Sequence, residues 1–185
     1  MTPAVPCREW LLQQGFSVDG ITDAVLDESE KTPAGQSLYR LMPLPSMIVV
    51  HHSATDSGST RLFRCLHRAV NGWTDIGYHF VIGNGTDSGD GVVETGRPLG
   101  FRGAHAKGSN HCSIGVCLVG NFQETWPTER QTEALGRLLD DLLDRFRLGP
   151  GCVLLHREVH GCRTVCPGEN LTRAMVLESR GRTRT

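Results

Sequence analysis

The chain has 185 residues, room for one domain of about 150 residues with a few tens to spare. Its 38% apolar and 21% charged residues exclude a disordered chain, a collagen and a coiled coil. The net charge of −1 implies no broad basic surface for nucleic acid, and no apolar run approaches the ~20 residues of a membrane span.

Residues 1–46 carry 3 Lys+Arg against 6 Asp+Glu, a charge of −3 that leaves +2 for the remainder. Two short helices are predicted there, Arg8 to Gln14 and Asp23 to Lys31, before Pro43 and Pro45 punctuate the chain. The expectation is a helical extension packed on a main domain. The start has one Arg, a Pro-broken lead and no small-residue cleavage site, so no secretory signal is read.

From Met47 the pattern alternates strand and helix. MIVVHH (Met47 to His52) is a short, β-branched run that suits a buried strand. Arg61 to Asn71 is a predicted helix, capped by Ser59 or Thr60, with Leu62, Cys65, Leu66, Ala69 and Val70 along one side. DIGYHFVI (Asp75 to Ile82) reads as a strand, Thr86 to Gly91 as a turn, and Val92 to Glu94 as a short strand. SIGVCLV (Ser113 to Val119) is apolar on both faces and reads as a central strand. The longest helix is predicted over Glu129 to Phe146, with Thr128 and Gln131 forming a capping box and Gly149-Pro150 ending it. Val153 to Leu155 is a last strand, followed by a loop from His156 to Gly168. Residues 173–185, with four Arg and one Glu, read as a solvated basic tail. The alternation predicts an α/β domain over residues 47–172, with helices covering a mixed central β-sheet.

The seven Cys form no dense disulfide framework and are read as mostly reduced thiols. Ligand chemistry concentrates at His51-His52, at His156 to His160, and at Cys162 to Cys166. A strand-end His and distant loop ligands can meet at one sheet edge. Two imidazoles and a thiolate hold zinc tetrahedrally and leave a fourth position for water. Zinc lowers the pKa of such a water and polarises a carbonyl, as amide hydrolysis requires. A rival set is equally compatible with the spacing: His156, His160, Cys162 and Cys166 could close a structural zinc site alone.

The segments IVVHHSAT (48–55), GWTDIGYHFVIGNGT (72–86), VVETGR (92–97), GAHAKGSNHCSIGVCLVGNF (103–122) and HREV…RTVCPG (156–168) carry a resemblance. In their order and spacing the chain resembles the zinc-dependent N-acetylmuramoyl-L-alanine amidases, which share a fold with peptidoglycan recognition proteins. It looks most like the short phage lysozyme-amidases, or endolysins. LLQQGFSVDGI (residues 11–21) resembles about half of the repeat of small peptidoglycan-binding modules, which would make residues 1–46 a truncated wall-binding segment.

The resemblance implies one Zn2+ per chain, held by His51, His156 and Cys166, with His160 and Cys162 outside the site. It implies a catalytic role for Tyr78, facing the water and the substrate carbonyl, with Thr164 assisting. Thr164 stands where phage members usually carry Lys. It implies substrate contacts for His105 and Asn110 in the groove. His52, His79 and Cys117 are read as packing residues. The loop between His156 and Cys166 is two residues longer than in the similar phage enzymes and equals that of intracellular recycling amidases. Those enzymes, however, carry Glu at the position of Cys117 and lack the tyrosine. The implied partner is peptidoglycan or a muramyl-peptide, with no nucleic acid and no membrane span, and the chain is expected to be a monomer. It would be made in the cytoplasm and act on the wall after the membrane is breached. The alternatives are a recycling amidase for anhydromuramyl-peptides and a recognition module that binds without cutting.

Overall fold

The computed structural model describes residues 40–181. The two helices expected within residues 1–39 lie outside the described residues. Five strands form one mixed sheet: β1 (Met47–His52), β2 (Phe80–Ile82), β3 (Val93–Thr95), β4 (Ser113–Leu118) and β5 (Val153–Leu155). Their order is β3-β2-β4-β1-β5. β1 runs parallel to both β4 and β5, β4 runs parallel to β2, and only β3 is antiparallel.

Alternation sorts the central strands into two faces. Ile48 and Val50 of β1, with Ile114, Val116 and Leu118 of β4, point toward the main core. There they meet α2 (Glu129–Phe146), which buries Leu135, Leu139, Leu142 and Leu143 on one side. Thr128 and Gln131 make the expected capping box, and the buried Gln131 amide donates to Ile82 O (3.2 Å) and Val119 O (2.8 Å). The helix stops earlier than Gly149, because Arg147 takes a left-handed conformation (φ 54) and its N–H satisfies Leu143 O and Asp144 O.

The opposite face carries Val49, His51, Gly115 and Cys117. It is covered partly by α1 (Thr60–Ala69), whose Leu62, Phe63 and Cys65 pack with Ile76, Val81 and Val119. Ser59 is the N-cap of α1, its hydroxyl accepting from Leu62 N (3.2 Å). Two expectations change. The strand expected over Asp75 to Ile82 is regular only from Phe80: His79 N still reaches Gly115 O of β4 (2.9 Å), but Gly77 N donates to the His67 side chain of α1 and Gly77 O accepts from Ala104 N of a loop. The stretch expected as a solvated tail contains α3 (Arg173–Glu178), which buries Val176 in the core. Gly136 permits the close approach of α2 to the end of α3, since a Cβ there would lie 2.1 Å from Ser179 O.

Candidate metal centre and groove

β1 and β5 are neighbours in parallel register, with Val50 opposite Leu155. The next residue of each is His51 and His156, so the sheet itself delivers two imidazoles to one edge. Their ring centroids are 4.4 Å apart. The crevice beyond the carboxyl ends of parallel strands is where α/β sheets generally place ligands. The loop after His156 then doubles back, and Arg157 N donates to Cys166 O (2.9 Å). This returns Cys166 to the same edge, where His52 N donates to its Sγ (3.4 Å). The candidate donor atoms of His51, His156 and Cys166 all lie within 4.8 Å of one another.

The chemistry of this donor set fits a divalent transition ion. Burial lowers the pKa of His51 and of His156, so both imidazoles are neutral with a free lone pair. Burial pushes the Cys166 thiol up to about 11, against the pull of the His52 N–H and Arg157; a bound cation reverses that and stabilises the thiolate. The rival set is not assembled among the described residues: His160 is exposed, and Cys162 Sγ points to Lys107 O (3.8 Å).

His51 is oriented from behind. Its Nε2 lies 3.0 Å from His105 Nδ1, and His105 Nε2 lies 3.4 Å from both Ser113 O and Ser113 Oγ. With His105 donating from Nε2, its Nδ1 accepts from His51 Nε2–H. The free lone pair of His51 is then on Nδ1, which lies 3.8 Å from Cys166 Sγ. The His105 ring sits against two glycines, because a Cβ at Gly103 or Gly115 would come within 2.4 or 2.5 Å of it. Sequence reasoning assigned His105 to the groove, and it does line the groove, but its contact with His51 was missed. Two residues 54 apart give no local signal of a ring contact.

Tyr78 lies 5.3 Å from the His51 ring, centroid to centroid, and precedes β2 instead of lying within it. Burial raises its pKa strongly, and the nearby Cys117 and Cys166 add to this, so the phenol keeps its proton. His79 faces away. Its Nδ1 accepts from Gly115 N (2.9 Å), its Nε2 donates to Phe101 O (2.9 Å), and burial lowers its pKa to about 4. His52 Nδ1 accepts from Phe122 N (3.1 Å). Asn110 Oδ1 accepts from His105 N (2.8 Å) and Ala106 N (2.9 Å), which fixes the loop that carries His105. Thr164 Oγ1 accepts from Cys166 N (3.1 Å), leaving its own proton available. His105, Asn110, His156 and Thr164 share the wall of an open groove of about 500 Å3, together with Trp73, Lys107 and Arg163 among others.

Three candidate metal donors at a sheet edge, one of which, His156, lines the groove, form a site suited to a metal ion and an external ligand together. Comparison with known proteins supplies the family. The chain belongs to the N-acetylmuramoyl-L-alanine amidase family, which matches residues 41–169. It is 41% identical over 135 residues to the endolysin of Escherichia phage T7, covering 68% of this chain and 82% of that one. It is 37% identical over 135 residues to peptidoglycan-recognition protein SC2 of Drosophila melanogaster, covering 68% and 70%. Among solved structures it resembles the N-acetylmuramoyl-L-alanine amidase LysC from Clostridium intestinale URNW, with a TM-score of 0.65 and 30% identity, covering 75% of this chain and 90% of that one.

Proposed function

We propose that this chain is a zinc-dependent amidase that hydrolyses the bond between N-acetylmuramic acid and L-alanine in peptidoglycan, acting as a monomer in the setting of a phage-type endolysin. The observation that carries the reading is the convergence of His51, His156 and Cys166, with Tyr78 beside His51, in a chain of the amidase family. His51, His156 and Cys166 would hold one Zn2+. When bound, the ion supplies Lewis acidity toward water and toward the scissile carbonyl.

The residues of the chain do the rest. Tyr78, protonated and held beside His51, donates its phenol proton to the oxygen that becomes negative in the transition state. Thr164 offers a second hydroxyl at the groove wall; it lacks the positive charge that Lys would bring. His105 aligns His51, and together with Asn110 it lines the groove for the muramyl-peptide. The setting follows the likeness to a phage endolysin, and among the described residues no helix is long and apolar enough to cross a membrane. We assign action to the cell wall after the membrane is breached.

The test is digestion of purified sacculi with and without a chelator, with identification of the new chain ends. New L-alanine amino termini, lost on chelation and restored by zinc, are expected. His51→Ala, His156→Ala and Cys166→Ala should lose zinc by elemental analysis, while His160→Ala and Cys162→Ala keep it. Zinc kept in His51→Ala and lost in Cys162→Ala would overturn the ligand set. Sacculi bound but uncut by the zinc-loaded parent would make the protein a recognition module.

A further inference from the structure

Beyond its electrostatic pull on the Cys166 thiol, the Arg157 side chain makes two hydrogen bonds to the loop that carries Cys166. It follows His156 directly, in the short turn His156–Glu158 at the end of β5. Its main-chain N–H donates to Cys166 O (2.9 Å). Its Nη1 donates to Gly168 O (2.7 Å) and its Nη2 to Leu171 O (3.2 Å). One residue therefore grips the chain at three points, at Cys166 and at two residues beyond it. The planar guanidinium is suited to this, since its donors keep a fixed fork and lose little freedom per bond.

The far side of the same loop is also anchored. Asn170 N donates to Phe122 O (2.9 Å), Glu169 N donates to Gln123 Oε1 (2.8 Å), and a Cβ on Gly168 would meet the Phe122 carbonyl carbon at 2.3 Å. The Cys166 loop is thus held between Arg157 on one side and residues 122–123 on the other. Cys166 has no strand of its own to fix it, unlike His51.

We propose that Arg157 is a positioning residue for the metal centre: it ties His156 and the Cys166 loop into one unit, so that two of the three donors are preset before an ion arrives. This rests on the reading of His51, His156 and Cys166 as zinc ligands. Without the clamp, the loop must be ordered by the ion itself, and zinc binds more weakly and leaves faster. Outer residues that fix metal ligands typically contribute about 10–100-fold in metal affinity.

The experiment measures zinc affinity and zinc release by competition with a chromogenic chelator, on the full chain. Thermal unfolding of the zinc-free protein is measured alongside. Arg157→Gln keeps a long polar side chain, and Arg157→Lys keeps the charge and one point of donation. Arg180→Ala serves as the structural control. It breaks the Arg180 Nε to Asp140 Oδ1 pair (2.7 Å) between the end of α3 and α2, which shares no residue with the loop contacts. Arg157→Gln is expected to weaken zinc binding by about 10–100-fold and to speed its release, with Arg157→Lys in between. Arg180→Ala is expected to lower the melting temperature and leave zinc affinity unchanged. Parental affinity in a folded Arg157→Gln overturns the clamp while leaving the ligand set intact. So does an equal loss of affinity in Arg180→Ala. A parent that takes up no zinc overturns both the clamp and the ligand set.

Discussion

Gly115 is the position where one added methyl group should reach the metal centre. It sits in β4 opposite Val49, flanked by β1 and β2, so its backbone has little room to yield. A Cβ there would lie 2.5 Å from His105 Cδ2 and Cγ, where ordinary contact begins at 3.4 Å. The His105 ring must therefore move by about 0.9 Å. A ring displaced that far no longer meets His51 Nε2 at 3.0 Å, and His51 loses the partner that fixes its tautomer. Gly115→Ala should cost about 1–3 kcal/mol in stability through overpacking. It should also weaken zinc binding by about 10–100-fold, read by chelator competition. The double variant His105→Ala with Gly115→Ala removes the clash, so its zinc affinity should be no lower than that of His105→Ala alone. Additive losses in the double variant, or parental zinc affinity in Gly115→Ala, would refute the reasoning.

Tyr78→Phe keeps the ring beside His51 and should retain zinc and sacculus binding, yet release L-alanine amino termini about 10²–10³-fold more slowly; unchanged release removes Tyr78 from the mechanism. His79 has a folded-state pKa of about 4, below its ordinary 6.5, so the unfolded chain binds its proton first. Stability is then full above pH 6.5 and falls as pH drops toward about 4, and thermal unfolding of His79→Gln should show a shallower slope across that window. A chain beginning at Pro45 should keep zinc and activity on soluble muramyl-peptide. It should be less stable by about 1.5–3 kcal/mol, because Met42 lies in the main core; an unchanged melting temperature counts against that packing.

The parts of the fold that were readable from sequence are those with strong local patterns. The unbroken apolar run of β1 and the heptad-like leucines of α2 need no distant partner to be recognised. The segment Asp75 to His79 reads as strand because Ile76 is truly buried, but the backbone partners of Gly77 are a helix side chain, His67 Nδ1, and a loop residue, Ala104. The helix α3 was hidden because six residues are too few for periodicity and the surrounding arginines resemble a solvated end. At the site, residue types left two ligand sets open, and the family resemblance singled out His51, His156 and Cys166, which do come together. What spacing cannot carry is three-dimensional support, such as the ring of His105 between two glycines or the reach of Arg157 to Leu171.

The candidate metal centre also joins two parts of unequal lifetime. His51 belongs to a strand paired on both sides, the kind of segment whose amides exchange only when the whole domain unfolds. Cys166 belongs to a loop fastened by a handful of turn and side-chain bonds, the kind that opens alone at much lower free energy. An ion held between them would leave by release of the loop, with the strand ligand the last to let go. Hydrogen exchange should show the difference directly: amides of β1 protected to the global limit, those of residues 164–168 exchanging sooner, and the gap narrowing when metal is added.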